Sequence, residues 1–116
     1  MIVYGIPNCD TVKRARSWLT ERGVAHSFHD FKKAGVPAAA LDHWLQSCGW
    51  DAVLNRRGTT WRQLDAATQQ QVVDADSARR LMLAQASVIR RPVVSWPDGA
   101  ITVGFDVDAW AKRMTP

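Results

Sequence analysis

The chain opens on an apolar run, Ile2 to Ile6, short enough for a strand and closed by Pro7 and Asn8. The rhythm then changes. From Asp10 to Arg22, Val12, Ala15, Trp18 and Leu19 recur at helical spacing, while Lys13, Arg14, Arg16 and Glu21 fall on the other side. Gly23 stands where a helix ends in a left-handed residue. Val24 to Phe31 reads as a second strand. Strand, helix and strand in so short a stretch predict a βαβ unit with parallel strands.

After the loop KKAGVP, Pro37 opens a helix over Ala38–Ser47, with Leu41, Trp44 and Leu45 on one side and Gly49 as its stop. LNRRGTTWRQL is a polar interruption, and Thr60 is predicted to cap a short helix beginning near Trp61. Ser77 is predicted to cap the next helix, which carries Ala78, Leu81, Met82 and Gln85. VIRRPVVSWPDGAITVGF predicts two strands joined at Pro-Asp-Gly, and Asp106 caps a last helix through Trp110 and Ala111. The sum is an α/β fold. A four-stranded mixed sheet is flanked by helices, its parallel start followed by an antiparallel hairpin. With 116 residues, one domain over 1–116 is expected, with residues about 37–86 as a helical insertion.

Composition narrows the function classes. A hydrophobic fraction of 47% is that of a globular protein, and six Trp in this length must largely pack. The net charge of +4 is mild for a nucleic-acid binder and suits a small acidic ligand or an oxyanion equally well. The beginning MIVYGIPNCD lacks a basic, then apolar, leader, and no run is long enough to span a membrane. A cytoplasmic protein with reduced thiols is therefore expected, with no membrane partner and no nucleic acid.

That expectation puts the weight on Cys9. It falls where the first strand gives way to the first helix. Unpaired N–H groups and the positive end of the helix dipole favour a thiolate there, and an anion beside it. Lys13 and Arg14 add positive potential. Asp10 either faces the thiol and opposes its ionisation or serves as the helix cap; the sequence leaves both open. The neighbours Asn8 and Asp10 are polar, which favours a reactive role over simple packing. Position 12 is Val, so a Cys-x-x-Cys redox pair is excluded. Cys48, at a helix end near Trp44, Leu45 and Trp50, reads as a packing residue. A resolving role would need its Cα within about 7 Å of that of Cys9. Arg56, Arg57 and Arg62, and Arg90 and Arg91 before Pro92, are the cations available for an anionic substrate. His26, His29 and His43 have no metal-ligand spacing, and no metal is expected.

YGIPNCDTVKRARSWL, GWDAVLNRRGTTWRQL and IRRPVVSWPDG…VGFD together resemble the arsenate reductase-related ArsC/Spx family, in particular its YffB-type members. The likeness runs over essentially the whole chain. It implies a thioredoxin-like fold with an inserted helical region, Cys9 as the nucleophile, and a cis bond before Pro92. It also implies Arg57, Arg91 and Pro92 as substrate-binding residues, to which Asn8 and Lys13 are added from their places beside Cys9. Two of the three arginines that arsenate reductases of this kind use fall, without gaps, on Asn55 and Gly104, so arsenate is the less expected substrate. The YffB-type likeness implies a glutathione-dependent thiol reductase that acts as a monomer, with no bound cofactor. Glutathione is the co-substrate or partner and glutaredoxin a further candidate partner. Arsenate reduction, or an Spx-like regulator that binds RNA polymerase, are the alternatives. Spx-like proteins usually carry the two-cysteine switch that Val12 removes.

Overall fold

A computed structural model describes residues 1–114. Among them β1 (Ile2–Gly5), β2 (Ser27–Asp30), β3 (Val93–Ser95) and β4 (Ile101–Val103) form one sheet, in the order β2-β1-β3-β4. β1 pairs parallel with β2, and β3 pairs antiparallel with β4, as the sequence predicts; β1 also pairs antiparallel with β3. Helices α1 (Asp10–Glu21) and α2 (Phe31–Ala34) belong to the first half of the chain. Helices α3 (Ala38–Cys48), α4 (Trp50–Val53), α5 (Thr59–Gln63), α6 (Ala66–Gln70) and α7 (Ala75–Ala84) separate it from the hairpin. α8 (Val107–Met114) follows the hairpin.

Alternation along β1 divides the core in two. Val3 points to one face, where it meets Ala15, Trp18 and Leu19 of α1 together with Val94, Trp96 and Trp110. Tyr4 points to the other and meets Phe31, Leu41, Trp44, Met82 and Val93. Five Trp and Phe rings supply much of this packing. Trp110 stands edge-on to Trp96 and Phe105, at centroid distances of 5.2 and 4.7 Å. Trp44 stands edge-on to Tyr4 at 4.7 Å. Such edge-to-face contacts add to what area burial alone contributes.

The differences from the predicted boundaries have local causes. β2 starts at Ser27, not Val24, because the Val24 amide is used to close α1. Val24 N–H donates to Leu19 O at 3.0 Å and Gly23 N–H to Thr20 O at 3.0 Å, with Gly23 at φ +68. This is a Schellman closure, which needs a residue that tolerates left-handed backbone. β2 ends at Asp30 because the Asp30 carboxylate accepts from Lys32 N–H and turns Phe31 into the core. β1 stops at Gly5, one residue earlier than expected, and α3 runs one residue longer, to Cys48.

Neither Thr60 nor Ser77 is a cap. α5 starts behind Gly58 without a side-chain cap. α7 starts behind Asp74, whose Oδ1 accepts from Ser77 N–H at 2.8 Å while Ser77 Oγ accepts from Asp74 N–H at 3.1 Å. This reciprocal pair makes Ser77 the inner half of a capping box. Asp106 does cap α8, accepting from Ala109 N–H at 3.1 Å. No helix among the described residues is long and apolar enough to cross a membrane.

Two expected outcomes follow from these contacts. A Cβ at Gly5 would lie 2.9 Å from Val12 Cγ2, and the Val side chain is stiff in a helix. Gly5→Ala should lower stability by about 1–3 kcal/mol, the usual range for overpacking. In thermal unfolding, Gly5→Ala with Val12→Ala should lose less than the sum of the two single changes. The second outcome concerns acid. Hydrogen bonds from the Ser77 backbone N–H and side chain hold the Asp74 carboxyl below its ordinary value of 3.8. Its contribution is thus complete above that value and is lost as pH falls through the lower folded value. Asp74→Asn keeps a cap but no charge, so unfolding midpoints measured below about pH 4 should fall less steeply than in the parent.

Candidate active site

Cys9 is the N-cap residue of α1, with extended backbone at φ −136 and ψ 122. Its carbonyl accepts the first helical bond, from Lys13 N–H at 2.9 Å. No side chain caps this helix end. The thiol, half-buried, therefore stands beside first-turn amides that no side chain satisfies. Asp10 is not the cap. It occupies the first helical position and is exposed. Asn8 is exposed in the loop before Cys9, and Lys13 is exposed one turn into α1. Among the described residues, neither Lys13 nor Arg14 has an ion-pair partner.

Sheet register brings the second part of the site to the same end. Tyr4 pairs with Val93, which sets Pro92 next to Gly5 at the end of β1 from which the chain leads to Cys9. The Arg91–Pro92 bond is cis, and Pro92 is buried. Pro92 has no N–H to give, but its carbonyl accepts from Gly104 N–H at 2.9 Å. Arg91, half-buried, donates from Nη1 to Ser87 O at 3.3 Å, leaving further guanidinium donors for a ligand.

The third part comes from the segment between α4 and α5. Leu54 and Ile89 form an isolated antiparallel bridge, flanked by Asn55 N–H to Val88 O and Arg90 N–H to Val53 O, each 2.8 Å. This short ladder fixes the polar LNRRG stretch against the 3₁₀ turn Ala86–Val88, the turn to which Arg91 reaches back. The arginines of that stretch differ in their commitments. Arg56 pairs with Asp51 and lies over the Trp50 and Trp61 rings, at 5.4 and 5.8 Å from their centroids. Arg62 donates to the Arg57 carbonyl. The Arg57 guanidinium is exposed and has no partner among the described residues.

Gly104, one of the two positions without the arsenate-reductase arginine, has φ +83, a conformation that a side chain there would strain. Asn55, the other, accepts from Arg57 N–H at 3.1 Å. The sequence sign of this role is Asn55 opening the polar, glycine-ended stretch NRRG, a composition that suits a turn closed by the Asn side chain. Among the described residues, no group of three or more His, Cys, Asp or Glu side chains is placed to hold a metal.

Cys48 lies elsewhere. Its Sγ donates to Ile101 O at 3.6 Å, and burial pushes its thiol pKa up. Ile101 pairs with Ser95, and Ser95 with Ile2, so Cys48 sits at the far end of the sheet, two strands across from β1. At about 4.8 Å per strand and about 3.3 Å per residue, Ile101, which Cys48 touches, is about 14 Å from Gly5. A disulfide needs Cα atoms within about 7 Å. Mild oxidation of the folded protein should therefore give no Cys9–Cys48 bond in a non-reducing peptide map. Cys48 should alkylate appreciably only at alkaline pH, since the reactive thiolate is scarce below its raised pKa.

The chain as a whole is similar to known proteins. The sequence profile of the ArsC family matches residues 4–113. An uncharacterized protein of Haemophilus influenzae is 36% identical over 104 residues, which cover 90% of each chain. The solved structure of the YFFB protein is 46% identical, covers 98% of each chain, and superimposes with a TM-score of 0.90. An arsenate reductase (ArsC) related protein from Brucella melitensis is 45% identical over 99% of this chain and 94% of its own, with a TM-score of 0.75. The profile and these likenesses agree with the thioredoxin-like arrangement of sheet and helices, and the chain belongs to the ArsC family as a YffB-type member.

Proposed function

We propose that this protein is a thiol oxidoreductase in which Cys9 exchanges disulfides with glutathione or a glutathione-linked substrate. The observation that carries the reading is the uncapped N-terminus of α1 with Cys9 as its N-cap residue, beside the Arg91–Pro92 corner. A helix N-terminus stabilises negative charge, which is what a thiol nucleophile must carry to react. In the first step the Cys9 thiolate attacks the glutathione sulfur of a mixed disulfide. The Cys9–glutathione bond forms, the substrate's S–S bond breaks, and the substrate leaves as a thiolate that takes up a proton. In the second step the thiolate of a free glutathione attacks the glutathione sulfur on Cys9. Oxidised glutathione leaves, and the Cys9 thiolate returns. The free glutathione is the reductant: its sulfur passes from thiol to disulfide as the substrate sulfur passes from disulfide to thiol, while the first glutathione is in a disulfide before and after.

Lys13, Arg57 and Arg91 are the cations assigned to the carboxylates of glutathione, with Asn8 and Pro92 lining the approach. Arg is suited to that work because its planar fork meets a carboxylate with two hydrogen bonds. No cofactor is required, since the sulfur exchange conserves its own electrons. A reducing, cytoplasmic setting fits such chemistry, with a monomer as the working form and glutaredoxin as a protein that could share the second step. Arsenate is the second reading, favoured by the name of the Brucella relative. The left-handed φ at Gly104, which a side chain would strain, and the hydrogen bond that Asn55 accepts weigh against it.

Incubation with oxidised glutathione, read by intact-mass and peptide mass spectrometry, tests the leading reading. A single adduct at Cys9 is expected, unchanged in Cys48→Ser and absent in Cys9→Ser. An adduct confined to Cys48, or none, would sink it. Arsenate supplied with glutathione and glutaredoxin should give little or no turnover in the same preparation.

A further inference from the structure

Three arginines crowd the segment after α4, yet only the Arg57 guanidinium is uncommitted among the described residues, since Arg56 and Arg62 are held by Asp51 and by the Arg57 carbonyl. One side chain organises the backbone on which Arg57 stands. Asn55 Oδ1 accepts from Arg57 N–H at 3.1 Å, closing a turn two residues long. Asn55 N–H is itself tied to Val88 O at 2.8 Å, so the turn is anchored to the 3₁₀ turn that receives Arg91. The amide end of Asn55 fills the space over Gly58: a Cβ there would come within 2.8 Å of Nδ2. Gly58 has ordinary backbone at φ −77, so a side chain there would meet the Asn55 amide rather than a forbidden backbone conformation. Oδ1 is thus engaged within the turn.

We infer that Asn55 is a positioning residue: it fixes the turn that presents Arg57 to a carboxylate of a glutathione-class ligand. The inference rests on the thiol-exchange reading for its ligand, but its physical content is separate. An arginine on a loose loop must be ordered when it binds, and a loop ordered beforehand removes that cost from the affinity. Asn55 therefore acts on binding, through Arg57, and not on the sulfur chemistry.

S-methylglutathione, which keeps both carboxylates of glutathione but has no thiol to exchange, separates the two. Its binding is followed by NMR titration of the full chain. Arg57→Ala should weaken it about tenfold, the scale of one charge-assisted hydrogen bond. Asn55→Ala should weaken it about threefold or more, and should add nothing in the Arg57→Ala background. The Arg57 amide should lose order in Asn55→Ala by ¹⁵N relaxation and keep it in Asn55→Asp, which retains the acceptor oxygen. With oxidised glutathione, Asn55→Ala should raise the half-saturating concentration for Cys9 modification and leave the maximal rate in place. Binding in Asn55→Ala equal to the parent, a loss that persists without Arg57, or no binding by the parent would each overturn the inference. Binding that depends on Arg57, together with no Cys9 adduct from oxidised glutathione, would overturn the exchange reading and leave the positioning role standing.

Discussion

The close approach of α1 to the end of β1 governs where everything else falls. Gly5 has no Cβ, and Val12 occupies the space one would take. That contact lets the helix come down on the strand end, so the chain turns within Ile6–Asn8 and Cys9 takes the N-cap position. A bulkier residue at position 5 would push α1 outward and move the cysteine with it. Side chains of the Val3 face, chiefly Trp18 and Leu19, then hold the helix along its length. The position of Cys9 is thus set by packing.

The remaining pieces reach the same region by backbone pairing over long sequence distances. β3 is placed by β1, and the register delivers Arg91 and Pro92 to the end of the sheet where β1 stops. The bridge between Leu54 and Ile89 then attaches the end of α4 to the residues just before them. Long-range pairing of this kind costs loop-closure entropy, which the apolar contacts of Val53, Leu54, Val88 and Ile89, all buried, offset. Arg79, paired with Asp42 at 2.6 Å, joins α7 to α3 on the outer side of the same assembly.

The βαβ start, the hairpin, Gly23 and Gly49 as helix stops and Cys9 at a helix start were legible because each rests on local signals: spacing, glycine, turn residues. The fold family was legible from three motifs taken together. What the sequence hid depended on competition between neighbours. Asp74 and Ser77 are both residue types that cap, and only the structure shows that Asp74 is the N-cap and Ser77 its N3 partner. Val24 looks like strand, but its amide is claimed by α1. Asn55 looked like an absence because its role is made by contacts to Arg57, Val88 and Gly58 that no spacing announces. The separation of Cys9 from Cys48 was likewise invisible, since it depends on which end of β4 meets α3.

That separation has a kinetic meaning. A chain with two neighbouring thiols can discharge an adduct by itself, at a rate independent of its surroundings. Here Cys48, bonded to Ile101 O at the other end of the sheet, offers no such exit. Whatever is attached to Cys9 therefore departs only in a bimolecular encounter. The lifetime of the modified form is then a property of the solution, inversely proportional to the thiol concentration around it, and the protein carries no clock of its own.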